Sequence, residues 1–227
     1  MTLKDRYHQL AQDSRQAKPL SFPVLFWLFM AGSLLGFVLE GCWHWLHHGT
    51  WGFRVATLWG PFCIIYGVGA AAMYLVALAV EKRPPLMQFT VFALTGSAVE
   101  YLSGLFQEAA FGTVSWDYSH QPLNLGGRIS LRMTLIWGAL GIALMYAALP
   151  ALLKGFNLLQ LGRHMTLCRV AAALMCINLL FTSMALLRWK ERVIDMSPAD
   201  NAVEICLDSL WPDERMQSRF PNMQFVR

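Results

Sequence analysis

The sequence predicts an all-α integral membrane protein: a bundle of five transmembrane helices with an ordered, re-entrant-like loop on its outer face. Three observations carry this. The 227 residues are 56% hydrophobic and only 14% charged, against roughly a quarter charged in ordinary soluble domains. Apolar runs recur at about the length that crosses a hydrocarbon core, near 20 residues. These runs also lack the polar stripe of a surface helix: residues 140–153 are apolar all round.

Taken in order, residues 1–21 form a polar leader. The first span, 22–46, follows it and is too long in its hydrophobic part for a cleaved signal peptide. The second span, 58–80, begins with "WGPFCIIYG" at 59–67. "EKRPP" at 81–85 reads as a tight turn, because two consecutive prolines cannot continue a helix. The third, fourth and fifth spans are expected at 86–106, 131–153 and 168–187, making 22–187 one membrane domain. Residues 188–227, with Pro198, Pro212 and Pro221, read as an extramembrane tail with one short helix around 199–210.

The formal charge of +4 does not point to nucleic acid, because the basic residues flank the spans instead of forming a stripe. Lys4, Arg6, Arg15 and Lys18 precede the first span, Lys82 and Arg83 follow the second, and Lys154, Arg163 and Arg169 lie between the fourth and fifth. By the positive-inside rule these segments and the amino terminus are cytoplasmic. Arg188, Lys190 and Arg192 run against this orientation, since five spans place them outside. None of the five cysteines forms a CxxC pair, so they read as small apolar filler.

Ionisable groups within spans are costly and are functional candidates by default. Here they are Glu40 and Glu100, both in the outer half of the bilayer in the favoured topology. Glu108 lies about two turns beyond Glu100 on one helix face. Arg54 and the loop "FGTVSWDYSHQPLNLGGRISL" at 111–131 lie at the same end, so topology gathers Glu40, Arg54, Glu100, Glu108, Asp117, Tyr118, Asn124 and Arg128 there. The loop is expected to fold back over the helix ends, with Pro122 and Gly126–Gly127 supplying turns and Arg128 pairing with Glu108 or Asp117. Gly32, Gly36, Gly96 and Gly104 read as packing surfaces. Glu40 and His44 share a helix face, yet two ligands are too few for a metal site; Glu40 and Glu100 would be its carboxylates if one existed. No GxxxxGK[ST], GxSxG or HExxH occurs, which disfavours an ATPase, serine hydrolase or zincin in this chain.

At these residues the chain resembles a known family. "GSLLGFVLEGCWHW", "LWGPFCIIYG", "AVEYLSGLFQEAAFGTVSWDYSHQPLNLGGRISL" and "LIWGALG" resemble the consensus of the bacterial ABC-transporter permease family of CmpB type, over about residues 26–152. The family pattern falls on Glu40, Gly60, Pro61, Tyr66, Gly67, Glu100, Tyr101, Glu108, Trp116, Asp117, Tyr118, Ser119, Asn124, Gly127, Arg128, Trp137 and Gly138. Departures are "GFRVAT" where the family has an Arg-Gly pair, Ile64 in place of proline, and Ser130 in place of cysteine. The resemblance implies the membrane half of an ATP-driven transporter in the bacterial inner membrane, with a separate ATPase subunit as partner. The residues do not independently supply a coupling helix, because the turn at 81–85 is too short and the loop at 154–167 barely long enough.

The leading expectation is therefore a transporter or permease component. It would bind a polar or cationic solute through Glu40 and Glu100, with Glu108, Asp117, Tyr118, Asn124 and Arg128 at the mouth. Gly60, Pro61, Tyr66, Trp116 and Trp137 would serve as gating or structural residues. The alternatives are an intramembrane enzyme acting on an amphiphilic substrate and a non-catalytic scaffold subunit, with the non-enzymatic readings favoured. The lipid bilayer is the expected environment, homo-oligomerisation is left open, and no cofactor is legible.

Overall fold

The computed structural model describes residues 21–52, 54–158 and 165–226. The polar leader with Lys4, Arg6, Arg15 and Lys18 lies outside the described residues, as does Arg163.

Helix α1, Phe22–His48, opens on Pro23, whose fixed φ suits a first turn, and ends at Gly49 with φ +71, where the glycine N–H reaches the Trp45 carbonyl. Helix α2 is Ile64–Val80, six residues later than the sequence predicts. Gly60 at φ +78 followed by Pro61, which has no N–H to donate, breaks the helix before it can start at residue 58. At 1.5 Å per residue α2 rises only about 25 Å, short of the ~30 Å core, and the non-helical segment before it supplies the remainder.

Helix α3, Pro85–Phe111, starts on the second of two prolines and ends at Gly112, φ +62. Helix α4, Leu131–Ala143, is capped by the Ser130 hydroxyl. It continues through a π-helical turn, Leu144–Ala148, into α5, Leu149–Leu158. Pro150 accounts for the turn: its ring clashes with the carbonyl four residues back, and the Leu149 N–H instead reaches the Leu144 carbonyl, five back. Helix α6 is Met165–Lys190 and runs on through a second π-helical turn, Glu191–Asp195. Among the described residues four helical stretches, Phe22–His48, Pro85–Phe111, Leu131–Phe156 and Met165–Asp195, are long and apolar enough to cross a membrane, and α2 is a shorter apolar fifth. The protein is an all-α integral membrane protein.

The tail differs from the single short helix expected of it. Helix α7, Ala202–Leu210, and helix α8, Asp213–Arg219, are followed by β2, Gln224–Phe225, which pairs antiparallel with β1, Thr113–Val114. This pairing puts the tail on the same end of the bundle as residues 112–130. A core of Trp189, Leu186, Leu207, Trp211, Met216 and Phe220, joined by Leu58, binds it there. A second core centred on Leu28, Tyr74, Phe92, Trp137 and Met145 holds the bundle. Phe26, Cys168 and Met175 join α1 to α6. The segments 49–52, 54–63, 112–130 and 191–226 thus form one cap over one end of the helices.

At the opposite end, Gln88 is buried and ties down the turn between α2 and α3. Its amide donates to the carbonyls of Val80, Glu81 and Arg83 at 3.2, 3.1 and 3.0 Å and accepts from the Tyr146 hydroxyl at 2.6 Å.

The cap also engages two of the three basic residues that run against the charge rule, Arg188 and Arg192. Arg188, 3% exposed, donates Nε and Nη2 to Asp208 at 3.0 and 2.8 Å and Nη1 to Glu191 at 3.1 Å, with Glu204 at 3.7 Å. Arg192 pairs with Asp208 and, at 2.7 Å, with Asp213. These arginines are neutralised by the tail and are poor topology signals.

The Arg188 hydrogen bonds hold the Asp208 carboxyl below the usual carboxylate range. A group with a depressed folded pKa stabilises the fold above its unfolded pKa, about 3.9, and the contribution is lost as pH falls through the lower folded value. The tail is therefore expected to loosen below about pH 4. Emission from Trp211, isolated by comparison with Trp211→Phe, should shift to the red there and stay constant between about pH 5 and 8.

Candidate functional site

Glu40, late in α1, accepts a hydrogen bond from the Tyr66 hydroxyl at 2.8 Å and pairs with Arg54 at 3.3 Å. Tyr66 comes near because α1 and α2 cross at glycines. A Cβ on Gly32 would meet the Tyr66 carbonyl and Ala70, and one on Gly36 would run into the Tyr66 ring.

Glu100, on α3, is 4% exposed. One oxygen accepts from the Trp137 indole N–H at 2.6 Å and the other from the Tyr118 hydroxyl at 2.9 Å. The Tyr66 and Trp137 rings lie 5.7 Å apart, centre to centre. The two carboxylates are thus joined in a line running Glu40, Tyr66, Trp137, Glu100, Tyr118. Among the described residues no basic side chain forms an ion pair with Glu100.

Both carboxylates face one cavity of about 620 Å³, bounded by α1, α2, α3, α4, α6 and the cap, well within the range of small-molecule sites. Among the described residues its charged lining consists of Glu40, Arg54 and Glu100. Trp116 and Tyr118 reach it from the loop, and Phe220 to Met223 close it from the tail. Burial raises the Tyr118 phenol well above its ordinary value, as does the Glu100 carboxylate beside it, so this hydroxyl remains a donor.

The other expected site residues hold the loop. Arg128 pairs with Glu108 and also donates to the Gly126 carbonyl at 3.2 Å. The Trp116 indole donates to the Arg128 carbonyl at 3.0 Å. Gly104 sits where the loop closes on α3, with Arg128 and Trp116 about a van der Waals contact from where its Cβ would be. Asp117 is exposed and accepts from the Ser119 N–H and hydroxyl at 2.8 and 2.9 Å, which hold its carboxyl below the usual range. Asn124 donates to the Ser119 and Gln121 carbonyls at 3.1 and 2.8 Å and accepts from the Gly127 N–H at 3.1 Å. Neither Asp117 nor Asn124 lines the cavity. Gly60 and Pro61 form a corner, with the Gly60 carbonyl accepting from Arg219 at 2.6 Å.

Sequence reasoning missed Asn178, Thr182 and Arg219. Asn178 bonds the backbone of Trp59 in both directions, Thr182 accepts from the Leu58 N–H at 2.9 Å, and Arg219 binds the Thr57 carbonyl at 2.9 Å. An Asn and a Thr four apart in an otherwise apolar helix were the legible signal for the first two. His44 donates from Nδ1 to the Thr50 carbonyl at 2.8 Å. Among the described residues no three His, Cys, Asp or Glu side chains are grouped to hold a metal ion.

Fold and site together define a multi-pass membrane protein with a ligand-sized, carboxylate-bearing cavity beneath an ordered cap. The chain belongs to the family described as "Putative ABC-transporter type IV", which matches residues 27–183. The match extends through most of α6, beyond the stretch whose motifs resemble the family. No curated protein and no solved structure matches the chain.

Proposed function

We propose that the protein is the membrane component of a transporter, and that it binds a polar, cationic solute in the cavity through Glu100 with support from Glu40. One observation carries the reading: Glu100 is buried in the cavity wall with two neutral donors and no paired cation among the described residues, whereas Glu40 has Arg54. A buried ionised carboxylate without a cation is costly, and a bound cation removes that cost. Lys82, Arg83, Lys154 and Arg169 lie at the end opposite the cap, which supports a cytoplasmic placement of that end in the inner membrane. An ATPase subunit, which the family description favours, would dock there.

The test is thermal unfolding of the protein in lipid nanodiscs against sodium, potassium, calcium, tetramethylammonium and spermidine. At least one should raise the melting temperature of the wild type saturably, and Glu100→Gln should abolish the effect while leaving the ligand-free melting temperature nearly unchanged. An identical response in Glu100→Gln would remove Glu100 from binding and leave it a packing role.

A further inference from the structure

The cavity wall is incomplete on one side. Val68, Leu102 and Phe106 line the cavity and are also 43%, 61% and 65% exposed. Leu102 and Phe106 lie nine and five residues before the end of α3, about 14 and 8 Å below it at 1.5 Å per residue. That depth is within the hydrocarbon region of a bilayer with a core ~30 Å thick. The opening therefore faces acyl chains. On the aqueous side the cavity is covered by Trp116, Tyr118 and the segment from Phe220 to Met223.

The lining is also segregated. Its charged groups, Glu40, Arg54 and Glu100, are gathered with Tyr66, Tyr118 and Trp137, whereas Val99, Met133, Ile136, Leu140, Leu179 and Leu186 extend the wall with hydrocarbon. Arg54 neutralises Glu40, so an ionised Glu100 leaves a single net negative charge. An inorganic ion would leave most of this apolar volume without a partner. A neutral lipid would leave the charge unanswered.

We infer that the cavity takes its ligand sideways from the bilayer, and that the ligand is a cationic amphiphile, with its ammonium head at Glu100 and its hydrocarbon body along the apolar wall. This rests on the reading of the cavity as a cation site and narrows it to one chemical class. Long-chain amines and quaternary ammonium compounds partition into the membrane before they bind, which suits an opening at this depth.

The experiment compares dodecyltrimethylammonium, below its micellar concentration, with tetramethylammonium and dodecanol on nanodisc-embedded protein. Dodecyltrimethylammonium should bind at least tenfold more tightly than tetramethylammonium, dodecanol should bind no better than tetramethylammonium, and Glu100→Gln should weaken the first at least tenfold. A dodecyltrimethylammonium analogue with a diazirine at the chain terminus should label α3 around Leu102 and Phe106 in the wild type, a result that needs no variant to fold. Equal, Glu100-dependent binding of the two ammonium ions would overturn the amphiphile while leaving the cation site intact. Tight binding of dodecanol, labelling confined to residues 112–130 and 220–223, or no binding of either ammonium ion would overturn the inference, and the last would also remove the cation site.

Discussion

Replacing Arg188 by alanine is expected to detach the cap from the bundle and to destabilise the protein by about 3–5 kcal/mol, the range for removing one member of a buried charged network. Arg188 is the hub. It engages Asp208 through two nitrogens and also Glu191, Glu204 and the carbonyls of Ser197 and Pro198. Without it, Asp208 retains Arg192, but Glu204 and the two carbonyls lose their cation. The melting temperature in nanodiscs should fall by on the order of 10 °C, and trypsin should cut at Arg215 and Arg219 well before it reaches the bundle. The double variant Arg188→Met with Asp208→Asn should recover part of the loss, because it removes both sides of the pair. If Arg188→Ala melts within about 1 kcal/mol of the wild type, the tail is held by Trp211, Met216 and Phe220 and the charges are incidental.

Gly96→Ala is expected to cost about 1–3 kcal/mol, or somewhat more, through overpacking, and to abolish whatever binding depends on Glu100. A Cβ at this position would sit 2.5 Å from the Cβ and Cγ of Trp137. The Trp137 Cβ is fixed to the α4 backbone and cannot swing aside as a side-chain tip would, so α3 and α4 must part. The first bond to suffer is the 2.6 Å hydrogen bond from the Trp137 indole to Glu100. Gly155→Ala is the control: nothing lies within 4 Å of its added Cβ, and alanine inside a helix should stabilise by roughly 0.5–1 kcal/mol. Near-ultraviolet circular dichroism of the tryptophans, alongside cation-induced thermal shifts, should separate the two variants.

The sequence showed what depends on composition and on local chemistry. Run length placed the helices, the Pro-Pro pair marked the turn at 81–85, and the cost of ionisable groups in a bilayer singled out Glu40 and Glu100. The Arg128 to Glu108 pair followed because loop and helix end are neighbours along the chain. What stayed hidden was long-range and had no period. Asp117 and Asn124 looked like ligands because of their charge or amide, but short polar side chains in a turn are satisfied first by their own backbone. The second tail helix and β2 lay among prolines with no hydrophobic periodicity to reveal them, and the contacts of Arg219 with Thr57 and Gly60 span 162 and 159 residues. The start of α2 was misplaced because the hydropathy of Leu58 and Trp59 masked the backbone break at Gly60.

The β1–β2 ladder consists of two residue pairs, Thr113 with Phe225 and Val114 with Gln224, and it closes a chain loop 112 positions long. Such a closure forgoes more entropy than any helical hairpin in the bundle, and two pairs return little for it. In kinetic terms the ladder should be the last contact made and the first released, following insertion of the helices as a separate, slower phase. Phe225 packs edge-on against Trp189, 4.9 Å between ring centres, so the emission of Trp189 would time that closing step in a refolding experiment while the bundle is already assembled.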